Sequence, residues 1–285
     1  MPETVNNRTS EIAFSVLLSV YRGEKQEWFT RSLESLWTQS LQPDEVVLVK
    51  DGPLTSELET VLAGWQEKFG DRLKVVALER NVGLAAALNV GLNACRNEWV
   101  VRMDTDDICL PNRLEVLAGF IRENPSADIV GSWALRLDAE GQTGRVLKVP
   151  IDPVRIRRLI WSCPLIHPTV CYKKEKILAV GGYDPLAGPR QDDYELWFRC
   201  AAAGHAFHNI PEPLLLYRFT DQNIRRNNFR VGYHRFKNGW RGNRMLGAGL
   251  TAYLGVAVPL VRGMLPYPLN VWVYKLLARF NPRGR

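Results

Sequence analysis

Short apolar runs alternate with longer amphipathic stretches along the first half of the chain, and this alternation constrains the fold more than any other feature. Apolar runs that predict strands cover residues 13–20, 45–50, 73–78, 99–103 and 128–133. Apolar residues at helical spacing predict helices over residues 25–39, 56–69, 84–95 and 111–123, with Ser56 capping the second. Strands that alternate with helices of this length form βαβ units. We therefore expect an α/β fold with a mainly parallel central sheet flanked by helices.

The order of elements changes after residue 133. A turn signal at residues 138–141 predicts a hairpin over residues 135–149. Further patterns predict helices over residues 153–161 and 192–203, strands over 167–172 and 214–219, and a tight turn at 181–184. We expect a folded domain over residues 11–221, with halves 11–133 and 134–221, after a flexible N-terminus of residues 1–10.

The net charge of +7 is distributed unevenly. Residues 222–285 contain twelve Lys and Arg and no Asp or Glu, whereas the first 221 residues hold 25 basic against 30 acidic residues, a net charge of −5. Such a split points to a polyanionic partner for the C-terminal segment, either a membrane or a nucleic acid. Apolar blocks lie between the basic residues, and this favours lipid over nucleic acid.

The apolar blocks of this C-terminal segment leave three alternatives open. Residues 245–261 form an uncharged stretch of seventeen residues, at the short edge of a transmembrane span. Residues 263–274 place aromatic side chains beside basic ones, which suits an element in the plane of a membrane interface. Packing on the main domain or in a dimer is the third alternative. We expect residues 222–285 to form a basic, amphipathic helical tail on an anionic membrane surface.

An acidic cluster follows the fourth predicted strand directly and consists of Asp104, Asp106 and Asp107. Ligands of parallel α/β sheets bind beyond the carboxyl ends of the strands. Two aspartates two positions apart can divide the work there, one accepting hydrogen bonds from a ribose and the other reaching a divalent cation that bridges phosphates. The alternative is a solvated acidic turn, which the fully apolar preceding strand makes less attractive.

Other predicted strand ends also carry polar residues. Tyr21 follows the first strand and Asp51 the second, where its carboxylate can accept from a nucleobase or only cap a turn. Arg80, Asn81 and Gly83 follow the third strand. The glycine allows the backbone to approach a ligand closely, and the arginine can meet a phosphate or a base.

A second acidic pair, Asp192 and Asp193, begins a predicted helix. The helix dipole favours carboxylates there, so capping is one interpretation, and the other is that Asp193 is a general base for a hydroxyl. Trp197 can stack on a sugar or pack in the core. His167 can line an acceptor site or be a hydrogen-bonded structural residue.

The order and content of these motifs resemble the family-2 glycosyltransferases of the GT-A fold, in particular the branch that builds bacterial surface polysaccharides. The similarity covers about residues 14–219. It is carried by the segments AFSVLLSVY, VVLVKDG, ERNVGLAAALN, RMDTDDICLPNRLE, HPTVCYKK, GGYD and QDDYELWFR. The resemblance implies a GT-A nucleotide-diphospho-sugar transferase fold, with a nucleotide-binding half at 11–133 and an acceptor half at 134–221.

The resemblance also implies residue roles on the donor side. Tyr21 and Asp51 would contact the base of the nucleotide, as part of a site that includes the segment after the third strand. Asp104 would contact the ribose, and Asp106 would hold Mg²⁺ or Mn²⁺ against the diphosphate, which makes the enzyme metal-dependent.

On the acceptor side the resemblance makes Asp193 the base. The family usually has Glu where Asp192 stands, and many members have a His shortly after a Tyr-Arg pair. Here residues 217–218 are Tyr-Arg, but Phe, Thr and Asp follow. Asp221 therefore becomes a candidate third metal ligand.

Together these features predict an inverting hexosyltransferase of bacterial polysaccharide biosynthesis. Its expected donor is a nucleotide sugar, a UDP-sugar by family habit, and its expected acceptor a hydroxyl of a lipid-linked saccharide. The expected location is peripheral, on the cytoplasmic face of the inner membrane, and five cysteines without a C-x-x-C pair favour a reducing compartment.

The alternative is a non-catalytic, membrane-associated accessory protein that retains the fold. A sugar nucleotidylyltransferase is disfavoured because residues 14–25 lack a glycine-rich phosphate loop. The oligomeric state is left open.

Overall fold

The computed structural model describes residues 12–220, 226, 228–266, 269–270, 272–273 and 276. The N-terminus expected to be flexible, residues 1–10, lies outside these residues, as does the candidate metal ligand Asp221. The described chain forms an α/β fold around a single sheet, with helices on both of its faces.

The first half of the chain forms the predicted series of strands and helices. Its elements are β1 (Phe14–Val20), α1 (Gln26–Trp37), β2 (Glu45–Lys50), α2 (Ser56–Phe69), β3 (Leu73–Ala77), α3 (Leu84–Ala94) and β4 (Trp99–Arg102). The four strands pair in parallel in the order β3-β2-β1-β4. The predicted cap of α2 is wrong by one residue, because Ser56 is already helical and the hydroxyl of Thr55 accepts the N–H of Leu58.

The second half extends this sheet with strands of both directions. Its elements are β5 (Ile108–Cys109), α4 (Arg113–Glu123), β6 (Ile129–Leu137), β7 (Thr143–Leu147), α5 (Pro153–Arg158), β8 (Cys171–Lys173), α6 (Lys174–Ala179), α7 (Asp192–Ala202) and β9 (Phe207–Arg218). The sheet order is β3-β2-β1-β4-β8-β6-β9-β5, and β7 pairs with β6. The sheet is mixed rather than mainly parallel, because β8 lies antiparallel between β4 and β6, and β5 and β7 are also antiparallel to their neighbours.

The predicted strand over residues 167–172 is in fact two elements. His167–Thr169 is a turn of 3-10 helix, and only the residues from Cys171 onward pair as β8. Pro168 has no N–H to donate to a strand ladder, and the Thr169 hydroxyl instead donates to the carbonyl of Ile166 at 2.7 Å. The predicted hairpin at 135–149 is confirmed as β6 and β7.

The core lies in two layers, one on each face of the sheet. Alternate residues of β1 point to opposite layers, with Val16 and Leu18 in one and Leu17 in the other. This explains why β1 is an uninterrupted apolar run, since a strand covered on both faces has no solvent side. The layer of Leu17 also contains Tyr194 and Trp197 of α7, so α7 packs on the same sheet.

Two further helices, α8 (Phe229–Met245) and α9 (Leu250–Gly263), confirm that the tail is helical. They pack on each other, and α8 also packs on α7. Glycines allow the close approach: a Cβ at Gly242 would lie 2.2 Å from the ring of Phe198, and one at Gly255 would lie 2.0 Å from the ring of Trp161. Within the described part of the chain, no helix is both long and apolar enough to cross a membrane.

Candidate active site

The predicted acidic cluster forms a compact group beyond the carboxyl end of β4. Carboxylate oxygens of Asp104, Asp106 and Asp107 lie within 4.8 Å of one another. The loop between them is held by Thr105, whose hydroxyl donates to Glu24 Oε2 at 2.8 Å. Glu24 thus brings a fourth carboxylate from the β1–α1 loop beside the cluster.

Two arginines flank the acidic cluster. Arg102, the last residue of β4, is 1% exposed and its Nη2 lies 2.5 Å from Asp104 Oδ1. Arg218, the last residue of β9, donates its backbone N–H to Asp107 Oδ1 at 2.7 Å and its Nε–H to the carbonyl of Asp106 at 2.7 Å. Asp107 is fully buried. Its carboxylate therefore ties β9 to the loop, which makes it a supporting residue of the cluster.

The carboxylates of the cluster repel one another, and burial further disfavours their charged forms. Burial, together with the negative charges of Asp104 and Glu24, raises the pKa of Asp106 to about 7. Burial, followed by the charge of Asp106, also raises the pKa of Asp107 well above its ordinary value. Crowded carboxylates that resist ionisation are a donor set that suits a hard divalent cation, because the cation supplies the missing positive charge. The residues present therefore fit Mg²⁺ or Mn²⁺, with Asp104 and Asp106 the more accessible ligands.

Asp51 organises the loop between β3 and α3. Its Oδ1 accepts the N–H of Val82 at 2.6 Å, and its Oδ2 accepts the N–H of Gly83 at 3.1 Å and the amide of Asn81 at 3.0 Å. These bonds match the turn-capping interpretation. A carboxylate has about four lone-pair sites, so acceptance from a nucleobase is compatible with them. Gly83 has a φ of 88°, a backbone conformation that favours glycine.

The remaining predicted donor residues lie at the same edge of the sheet. Tyr21 is 42% exposed after β1, and Arg80 and Asn81 are exposed after β3. Because β1, β2, β3 and β4 are parallel, their carboxyl ends meet at one edge. The structure thus brings Tyr21, the Asp51 loop and the acidic cluster to one side of the molecule.

The second acidic pair lies at the start of α7. Asp193 Oδ1 accepts the N–H of Tyr194 at 2.8 Å, and its Oδ2 lies 3.4 Å from the sulfur of Cys163. Burial, and then the charge of Asp193, raises the pKa of Asp192 to about 6. The charges of Arg102 and Asp104 also act on Asp192, which places the start of α7 near the acidic cluster after β4.

His167 and Trp197 lie near the second acidic pair and contact each other. The Nε2 of His167 lies 3.0 Å from the hydroxyl of Tyr183, and burial lowers the pKa of His167 well below its ordinary value. Trp197 is fully buried against Phe207 and His167. Core packing is therefore the interpretation of Trp197 that the structure supports, and a neutral structural imidazole is that of His167.

The sequence analysis did not assign a role to four residues that lie beside the acidic groups, namely Glu24, Arg102, Cys163 and Arg218. Arg102 and Glu24 carried a local signal, since each is charged and adjoins a predicted strand or its loop. Arg218 was noted only as part of a motif. Cys163 carried no signal, because its contact with Asp193 joins segments 30 residues apart.

Residues 15–179 match the family model described as Glycosyl transferase family 2. The chain belongs to this family. The amylovoran biosynthesis glycosyltransferase AmsE of Erwinia amylovora is 37% identical over 206 residues, which cover 72% of this chain and 76% of AmsE. The UDP-Gal:alpha-D-GlcNAc-diphosphoundecaprenol beta-1,3-galactosyltransferase of Escherichia coli is 35% identical over 214 residues, covering 75% and 76% of the two chains.

The fold of this family-2 glycosyltransferase is also that of solved GT-A enzymes. The mannosyltransferase PcManGT from Pyrobaculum calidifontis, in complex with GDP-Man and Mn²⁺, superposes with a TM-score of 0.60 at 18% identity, over 96% of this chain and 82% of its own. The predicted family and fold are therefore confirmed. All five cysteines are buried.

Proposed function

We propose that this glycosyltransferase moves a sugar from a UDP-sugar to a hydroxyl of a lipid-linked saccharide, with inversion at the anomeric carbon, in bacterial polysaccharide biosynthesis. The observation that carries the proposal is the proximity of two acidic groups, the cluster of Asp104, Asp106 and Asp107 and the pair Asp192–Asp193, whose charges act on one another. The names of the relatives support the substrate classes, since one uses a UDP-sugar donor and a diphosphoundecaprenol-linked acceptor.

The nucleotide is held along the carboxyl edge of the parallel strands. Tyr21 and Asp51 contact the base, and the segment of Arg80, Asn81 and Gly83 completes this side of the site. Asp104 accepts from the ribose. The hydrogen bonds of Asp51 to the β3–α3 loop support this assignment, because they fix that loop before a ligand arrives.

Asp106 is the proposed ligand of Mg²⁺ or Mn²⁺, with Asp104 and Asp107 beside it. When bound, the cation acts as a Lewis acid that stabilises charge on the departing diphosphate. Arg218 limits the repulsion within the cluster, because its positive charge acts on both Asp106 and Asp107.

Asp193 is the proposed base. It accepts the proton of the acceptor hydroxyl while the hydroxyl oxygen attacks the anomeric carbon. The bond from that carbon to the diphosphate breaks, and its electron pair stays on the diphosphate oxygen. A single displacement of this kind inverts the anomeric centre. A positioned base typically contributes about 10²–10⁴-fold in rate.

The tail helices are the proposed membrane attachment, at the cytoplasmic face of the inner membrane. The inner face of α9 packs on α8, while an outer row of apolar side chains is exposed. This row, the apolar stripe, consists of Leu250, Leu254, Val258 and Val261, which are 74%, 62%, 41% and 59% exposed. Three residues of the stripe also line an apolar groove of about 310 Å³, which is formed by Leu254, Ala257, Val258, Val261, Arg262, Leu265 and Val273. An exposed apolar stripe in a segment that carries only basic charge suits an anionic lipid surface.

The proposal is tested with a panel of nucleotide sugars. Each is incubated with Mn²⁺ and a synthetic GlcNAc-diphospho-lipid, and both nucleotide release and transfer are measured. We expect a UDP-sugar to give transfer and Asp193→Asn to lower turnover by about 10²-fold or more, with donor affinity retained. Binding of a UDP-sugar without release from any donor would instead favour the non-catalytic accessory protein.

A further inference from the structure

The turn between α5 and Pro164 bears directly on the proposed base. Ile160–Ser162 is a single turn of 3-10 helix, and Cys163 follows it with φ 60° and ψ 71°. A residue other than glycine adopts this left-handed backbone conformation only where its surroundings impose it. Here they do, because the amide of Asn209 donates to the carbonyl of Pro164 at 3.0 Å and the hydroxyl of Tyr194 donates to the carbonyl of Trp161 at 2.8 Å.

This turn places the Cys163 thiol against Asp193. The sulfur lies 3.4 Å from Asp193 Oδ2, while Oδ1 takes the N–H of Tyr194. Both carboxylate oxygens of Asp193 are thus directed by a neighbour, one from its own helix and one from the turn. The orientation of the proposed base depends on the position of residues 160–163.

The segment 160–163 also contacts the tail helices α8 and α9. Arg235 of α8 donates from Nη2 to the carbonyl of Ser162 at 3.3 Å. Its guanidinium also lies 4.1 Å from the ring centroid of Tyr194, the residue after Asp193. One side chain of the tail therefore contacts both segments that direct the carboxylate. From α9, Gly255 packs against Trp161 in the same turn.

We propose that Arg235 is a positioning residue for Asp193, acting through the turn 160–163 and Tyr194. The tail then has a role in turnover that is separate from membrane attachment. The inference rests on the proposed function, because it requires Asp193 to be the base. Arg235 itself touches no reacting atom, so its loss should change turnover and not donor binding.

The test compares Arg235→Met with Arg241→Met. Arg241 is exposed on the same helix, so both variants remove one positive charge from α8. The assay is Mn²⁺-dependent UDP release from UDP-galactose, or from the UDP-sugar that the panel selects, in solution without membranes. We expect Arg235→Met to lower kcat by about 5- to 20-fold at unchanged donor KM, since it loses one charged hydrogen bond and one cation–π contact. Arg235→Lys should recover part of kcat, and Arg241→Met should match the wild type.

Substitutions of Cys163 test the role of the turn without changing the tail. Cys163→Ala should lower kcat by about 3- to 10-fold at unchanged donor KM. Cys163→Ser should lose less of kcat than Cys163→Ala, because its hydroxyl keeps a hydrogen-bond donor at this position.

The inference is overturned if Arg235→Met and Arg241→Met have equal kcat. It is also overturned if Arg235→Met raises donor KM as much as it lowers kcat, which would indicate general damage to the fold. If Arg235→Met does not fold, normal kcat in Cys163→Ala overturns the role of the turn. Normal turnover in Asp193→Asn is a different result: it would show that Asp193 is not the base, which removes the premise of this inference while sugar transfer itself stands.

Discussion

Asp106 is the residue on which donor binding should depend most. Its pKa is raised to about 7 by burial and by the negative charges of Asp104 and Glu24, which outweigh the positive charge of Arg218. We expect Asp106→Ala to remove the part of UDP affinity that depends on Mn²⁺, a loss of about tenfold or more. Calorimetric titration of UDP with and without Mn²⁺ measures it. Asp71→Ala, an exposed aspartate before β3, is the control, and Mn²⁺-dependent affinity retained in Asp106→Ala would contradict the ligand assignment.

Asp192 should make the stability of the fold depend on pH. Its pKa of about 6 in the folded chain exceeds the ordinary value of 3.8, so the folded state binds the proton more tightly than the unfolded state. The free energy of unfolding should therefore fall as the pH rises from about 4 to about 6, by about 1–3 kcal/mol from this group, and stay low above it.

Asp192→Asn removes this group and isolates its effect. The variant should gain stability over the wild type at pH 7.5 and gain little at pH 4.5, measured by urea denaturation at both values. Asp71→Asn supplies the control for loss of an exposed carboxylate. A gain of equal size at the two pH values would show that Asp192 is not the group responsible.

The acidic residues of the site could be predicted because each follows a strand or begins a helix that the sequence itself marks. Asp104, Asp106 and Asp107 follow an apolar run, and Asp193 begins an amphipathic helix. Their partners could not be predicted in the same way. Arg218 reaches the cluster across 112 residues, and its contact exists only because β9 ends beside the loop after β4.

At the scale of elements, the strands and helices from β1 to β4 were predictable to within two residues, since each has its own periodicity and boundary signals. The strand predicted at residues 128–133 was too short, because β6 continues to Leu137, and β5 was not predicted. The direction of β8 was not predictable either. A three-residue strand carries too little pattern to show whether it joins a parallel series or turns back between β4 and β6. Tertiary pairing decides this, and it is what makes the sheet mixed.

For the tail, too, the sequence could not show which residues contact each other. The sequence left open whether its apolar residues pack on the domain or face a membrane, and the structure shows one apolar face that is packed and another that is exposed. Val256 and Ala252 of α9 are buried, and Leu254 on the same helix is 62% exposed. The glycines of α8 and α9 allow this division, but only the position of Trp161, Tyr194 and Phe198 reveals what they approach.

At the scale of the whole molecule, charge and apolar surface are concentrated at one end of the chain. Residues 222–285 carry +12 against −5 for the rest. Because α8 covers part of α7, removing the tail would expose the layer that contains Tyr194 and Phe198. Membrane attachment is therefore better tested by changing the exposed stripe than by truncation.

The triple variant Leu250→Ser, Leu254→Ser, Val261→Ser removes the most exposed part of the apolar stripe. Near an anionic leaflet each Lys or Arg contributes about 1 kcal/mol, a contribution that salt screens, whereas apolar burial does not depend on screening. We expect wild-type protein to float with anionic liposomes at low salt and partly at high salt. The triple variant should float weakly at low salt and not at high salt. Leu186→Ser, which removes a leucine that is 89% exposed outside the tail, should behave as wild type. Flotation of the triple variant equal to wild type at high salt would show that the stripe is not the lipid-binding surface, and its role would then be contact with another protein chain.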